Sequence, residues 1–103
     1  MTTPLAYAKA HQEDHLNELQ AFLQIPSVST QPEHASDVVA AAQWLADSLQ
    51  EAGLDHVQVI QTPGHPLVYA DWLHAGADVP TVLIYGHYDV QPAEPFDLWQ
   101  SPP

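Results

Sequence analysis

The 103 residues carry 13 acidic side chains against a single basic one, Lys9, for a formal net charge of −12. So short a chain holds one domain at most, with a core that removes roughly two-thirds of its unfolded surface from water. The charge argues against nucleic acid and anionic membranes as partners, because the cations that neutralise phosphates are missing. The absence of cysteine excludes disulfides and thiolate zinc sites.

The acids are scattered, so a solvated acidic surface is expected rather than an acidic tail. No basic segment followed by an apolar core opens the chain, and no apolar stretch approaches the roughly 20 residues that span a bilayer. The expectation is a soluble, cytoplasmic protein that contacts no membrane.

Thr3-Pro4 reads as a helix start, with Thr as N-cap and Pro in the first helical position. Tyr7, Leu16, Leu19, Phe22 and Leu23 then form an apolar stripe at helical spacing. This helix should end near Gln24, since Pro26 disfavours helical geometry at Ile25. His11 and His15 stand one turn apart and could in principle hold a metal. The residue after His11 is Gln12, not the Glu that a zinc-protease helix requires, so a solvent-facing polar stretch is the better reading.

Residues 25–32 form a loop by composition. Its hydroxyls, Ser27 and Ser29, match no nucleophile-elbow pattern and are expected to cap turns and helix ends. A second helix follows, capped by Ser36 or Asp37. Val38, Ala42, Leu45 and Leu49 supply its core face, Ala41 and Trp44 widen it, and Gly53 ends it in the left-handed conformation.

From His56 the period changes to two. Val57 and Val59 share one side of a half-buried strand, a turn spans 62–66, and a second strand spans 67–73. So short a connection favours an antiparallel pair. After a loop over 75–80, Thr81-Val82-Leu83-Ile84-Tyr85 reads as a strand buried on both faces. The order helix, helix, strand, strand, strand predicts an α/β fold, two N-terminal helices packed on a mixed β-sheet. His34, His56, His65 and His74 fall in loops or at element edges and are expected to be solvated. Trp72 and Trp99 are expected in packing or at an interface.

The motif strand breaks at Gly86 and delivers His87, Tyr88 and Asp89 before Pro92 forbids regular pairing. In extended backbone His87 and Asp89 point the same way, roughly 6–7 Å apart along the chain. A neutral imidazole ligates zinc through one nitrogen, while its other N–H donates to a carboxylate that fixes the tautomer. Most isolated His-x-Asp tripeptides are merely solvated or locally hydrogen-bonded. The buried-strand context and Gly86 favour a site.

Gly86-His87-Tyr88-Asp89-Val90-Gln91-Pro92, followed by Leu98-Trp99-Gln100-Ser101-Pro102-Pro103, resembles the M20 family of zinc exopeptidases, in particular its dipeptidase branch. Ile25-Pro26-Ser27-Val28-Ser29, Ala52-Gly53-Leu54 and the strand entry at His65-Pro66-Leu67-Val68-Tyr69-Ala70 extend the resemblance over nearly the whole chain. The resemblance implies that His87 is a metal ligand of one of two zinc ions. It implies that Asp89, which clamps that imidazole, is a catalytic residue. The family's bridging Asp, its Glu-Glu pair and its other ligands have no counterpart here.

Residues 1–103 are therefore expected to form the N-terminal part of a metallopeptidase catalytic domain, truncated after the first metal-ligand motif. The full-length protein would be a homodimer that hydrolyses dipeptides or short peptides, and the 103 residues alone would be inactive. A deacylase or desuccinylase with the same metal core is the alternative within the family. A non-catalytic module that binds a metal or a partner is the alternative outside it.

Overall fold

The Thr3 hydroxyl accepts from the Ala6 amide at 3.2 Å and Pro4 takes the first position of helix α1, Pro4–Ala10, as the sequence predicts. The chain, described here by a computed structural model over residues 2–103, does not continue as one straight helix. His11 departs from helical geometry, and α2, Gln12–Leu23, starts beyond it. The predicted stripe is not buried. Tyr7, Leu16, Leu19 and Leu23 are all half exposed or more, and Phe22 alone turns inward, stacking on Trp44 with ring centroids 4.9 Å apart.

A 3₁₀ turn, Pro32–His34, leads directly into α3, Ala35–Glu51. The helix thus begins before Ser36 and Asp37, and neither is its cap. His34 holds the cap position, and its Nδ1 meets the Asp37 carboxylate at 2.8 Å. At the other end Gly53 adopts φ +91°. Its amide donates to Gln50 and that of Leu54 to Leu49, so two otherwise orphaned carbonyls are satisfied.

Strands β1, Asp55–Ile60, and β2, Leu67–Asp71, pair antiparallel, with Val59 opposite Val68 and Ile60 opposite Leu67. The register slips between Asp55 and Gln58, where His56 sits at φ +52° and forms a bulge. α3 lies across both strands. The core is small and made of small side chains: Val38, Ala41, Ala42 and Ala46 of α3, with Val28 and the Ser27 side chain from the 25–32 loop. Leu45, Leu49 and Trp44 are only half-buried.

The class is α/β, as predicted, but the sheet has two strands and is antiparallel rather than mixed. The predicted third strand makes no ladder. Val82, Leu83, Ile84 and Tyr85 run exposed, at 79–91% of their full accessibility. A strand exists only where a neighbour takes its backbone groups, and among the described residues none lies alongside 81–86. The segment regains contact at Val90, which forms a parallel bridge to Val28.

Candidate metal-binding site

The return of the chain to the 25–32 loop positions the motif. The Val90 amide donates to the Ser27 carbonyl at 3.0 Å, and the Ser27 hydroxyl donates to the Tyr88 carbonyl at 3.1 Å. The Tyr88 hydroxyl reaches across to the Pro66 carbonyl at 2.6 Å, tying the motif to the entry of β2. Two segments distant in sequence thus converge on residues 86–90, and a cleft of about 390 Å³ opens between the three, with His65, Ser29, His87 and Asp89 in its lining.

Within that cleft His87 and Asp89 meet. The imidazole Nδ1 lies 2.8 Å from Asp89 Oδ1 and 3.1 Å from the Asp89 carbonyl. The His87 side chain is 77% exposed, so its ring faces solvent rather than packing. On the other carboxylate oxygen, the Ser29 hydroxyl donates to Oδ2 at 2.5 Å. Hydrogen bonding from Ser29 foremost, and from His87, holds the Asp89 carboxyl below the usual carboxylate range, against the opposing effect of burial. Burial, followed by the charge of Asp89, raises the Tyr88 phenol above its usual value.

The donor set fits a metal as far as it goes. An ionised carboxylate is acceptor-only, so the imidazole must donate Nδ1–H to it and keeps its lone pair at Nε2, the form in which histidine ligates. Among the described residues, no group of three or more His, Cys, Asp or Glu side chains could hold a metal ion by itself.

Two residues near the motif were misread from sequence. Ser27 and Ser29 do not cap turns or helix ends; they bind the motif segment, 61 and 60 residues away. No local signal reveals this, because the partner is fixed only when the motif folds back onto the loop. His65 donates through Nε2–H to the Ser29 carbonyl, 2.8 Å away. His56, His74 and His11 also meet carboxylates. His56 meets Asp71 at 2.8 Å, His74 meets Asp55, and His11 lies 3.3 Å from Asp14 while stacking on Tyr7. Trp99 donates to the Ala93 carbonyl at 2.7 Å, whereas Trp72 stays largely exposed with its ring edge-on to His74.

No family profile matches the chain. Individual proteins do. A cysteinylglycine-S-conjugate dipeptidase of Corynebacterium striatum is 35% identical over 90% of this chain. The Cys-Gly metallodipeptidase Dug1 of Saccharomyces cerevisiae is 33% identical over 84% of it. A succinyl-diaminopimelate desuccinylase of Delftia acidovorans is 33% identical over 82%. The solved structure of the yeast di-peptidase Dug1p superposes with a TM-score of 0.79 at 27% identity, covering 92% of this chain and 22% of that one. The chain spans about a fifth of the length of the curated relatives it matches.

Proposed function

We propose that this chain, whose relatives place it in the M20 family of metallopeptidases, contributes one metal ligand and its orienting carboxylate to a zinc-dependent dipeptidase site. The observation that carries the reading is the His87–Asp89 contact at 2.8 Å in an open cleft, with Nε2 left as the free ligand atom. His87 is the proposed ligand to one of two zinc ions, and Asp89 the residue that fixes its tautomer and ring direction. Zinc in such a site polarises a carbonyl and lowers the pKa of bound water. The residues of this chain hold and aim one imidazole; the further ligands and the general base are not among them.

Short peptides are the proposed substrates, in keeping with the Cys-Gly dipeptidases among the relatives. A cytoplasmic homodimer is the proposed assembly. No helix of the described residues is long and apolar enough to cross a membrane. The Delftia relative supports a second reading, hydrolysis of an N-succinyl amide on the same metal core.

The test uses the protein that carries this chain, with zinc content and turnover measured on Cys-Gly and on an N-succinyl amino acid. His87→Ala should lose zinc and turnover together. Asp89→Asn should keep the fold and lose about 10–100-fold in zinc affinity or activity, the scale for a residue that orients a ligand. Unchanged zinc content and turnover in His87→Ala would remove the site. The preferred substrate decides between dipeptidase and desuccinylase. A zinc-free protein that cleaves neither would leave the non-catalytic module.

A further inference from the structure

Asp89 engages both of its carboxylate oxygens, and the two engagements have different consequences. Oδ1 faces His87 and Oδ2 faces the Ser29 hydroxyl. An ionised carboxylate has no proton to give, so both partners must donate. Fixing Oδ2 fixes the rotation of the whole carboxylate plane, and so the position at which Oδ1 meets the imidazole. Ser29 is itself placed from outside: its carbonyl lies 2.8 Å from His65 Nε2, at the entry of β2.

We propose that Ser29 is a positioning residue for this site: its hydroxyl locks the Asp89 carboxylate and thereby holds His87 in the Nδ1–H tautomer with Nε2 aimed into the cleft. The inference rests on the reading of His87 and Asp89 given above. The competing explanation is that Ser29 merely staples two loops together. That role is already filled by its neighbours, through the Val28–Val90 bridge, the Val90 amide on the Ser27 carbonyl and the Ser27 hydroxyl on the Tyr88 carbonyl. Ser27 is 1% exposed and Val28 6%, so the staple is buried beside Ser29 and does not include its hydroxyl. The hydroxyl instead makes a short, charge-assisted bond to a carboxylate whose other oxygen meets a highly exposed imidazole. A ring so exposed is held only through Nδ1, by the carboxylate at 2.8 Å and, more distantly, by the Asp89 carbonyl at 3.1 Å, and an unrestrained histidine in water favours the opposite, Nε2–H tautomer. The carboxylate, the nearer and charged acceptor, adds its full share to reversing that preference only if it stays put.

The experiment reads the tautomer directly in the protein that carries this chain, in its metal-free form. Long-range proton–nitrogen NMR at mildly alkaline pH distinguishes the two nitrogens of His87 in wild type, Ser29→Ala and Ser29→Thr. Wild type should show His87 mainly as Nδ1–H. Ser29→Ala should lower the ratio of Nδ1–H to Nε2–H roughly fivefold, the scale of one net hydrogen bond. Ser29→Thr, which keeps the hydroxyl, should restore it. The Val28 and Val90 amide signals should stay in place in both variants. A wild-type ring in the Nε2–H form would overturn the proposal, as would a tautomer ratio unmoved by Ser29→Ala or unrescued by Ser29→Thr. Displacement of the Val28 and Val90 signals, or an unfolded Ser29→Ala chain, would make Ser29 a staple and equally overturn it. Because no metal is added, this outcome is independent of whether the dipeptidase reading survives the His87→Ala test.

Discussion

Asp71 and Asp89 have the same kinds of neighbour, one imidazole and one hydroxyl each. Asp71 accepts from His56 Nδ1 and from the Tyr69 hydroxyl, both at 2.8 Å. What separates them is place: Asp89 lines a cleft, whereas Asp71 sits at the bulged end of the hairpin. The Asp71 pair therefore has a structural consequence that pH can expose. The hydrogen bond to Asp71 and its charge raise the His56 pKa above 6.5. Hydrogen bonds from His56 and Tyr69 hold the Asp71 carboxyl below 3.8. The His56 contribution to stability is complete below its unfolded value of 6.5 and is lost as pH rises through the raised folded value. The Asp71 contribution is complete above 3.8 and is lost as pH falls through the depressed folded value. The clasp at the hairpin end is thus complete between 3.8 and 6.5. An NMR titration should place the His56 midpoint above that of a free histidine, and Asp71→Asn should return it toward 6.5. A His56 midpoint unmoved by Asp71→Asn would refute the clasp.

At the scale of elements, the helix that carries the core does so with alanines. Val38 is fully buried beside Ala41 and Ala42, and it is the largest apolar side chain with no exposure. Val38→Ala should destabilise the chain by about 2 kcal/mol, the transfer and cavity cost of its two methyl groups. Gly53 at φ +91° should not tolerate a Cβ for a different reason. Nothing stands within 4 Å of the added atom, so the cost of Gly53→Ala, about 1 kcal/mol, is backbone strain alone. Denaturant midpoints of both variants measure these losses, and a Gly53→Ala midpoint equal to wild type would remove the strain argument.

These elements were legible because their causes are local. The Thr3-Pro4 start, the Gly53 stop and the two-residue period of Val57 and Val59 need no distant partner. The buried face of α3 was legible in Val38, Ala41 and Ala42, but Ala46 took the place expected of Leu45 and Leu49, since close contact with a hairpin favours the small side chain. What failed was tertiary. Among the described residues, the stripe Tyr7, Leu16, Leu19 and Leu23 has helical spacing but no surface to cover it, and the 81–85 run has a strand's composition but no strand beside it. In the site, the adjacency of His87 and Asp89 follows from spacing, whereas the Ser29 and His65 contacts depend on the path of three segments and have no local signature.

The whole molecule is shaped by those uncovered surfaces. Its radius of gyration is 16.6 Å, where a compact domain of this length has about 13 Å, and its extents are 52 × 37 × 20 Å. Apolar side chains remain exposed along the N-terminal helices and over Val82, Leu83, Ile84 and Tyr85. Among the described residues no other segment pairs with the backbone N–H and C=O groups of this run, which leaves a template on which another chain can add a strand. The opposing term is electrostatic. A net charge of −12 drives copies apart at neutral pH and low salt, where little screens it. As pH falls toward the pI of about 4.4, protonation of carboxylates and histidines removes that repulsion and leaves the apolar 81–85 run unchanged. Added salt at neutral pH acts in the same direction by screening. Light scattering should therefore find the purified chain monomeric or weakly oligomeric at neutral pH in low salt, with mass rising as either acid or salt is added. Replacing Leu83 with Lys places a charge on the template and should suppress both rises without touching the His87 cleft contacts. A wild-type chain that stays monodisperse near its pI and in high salt would show that the 81–85 run is not the adhesive surface its exposure implies.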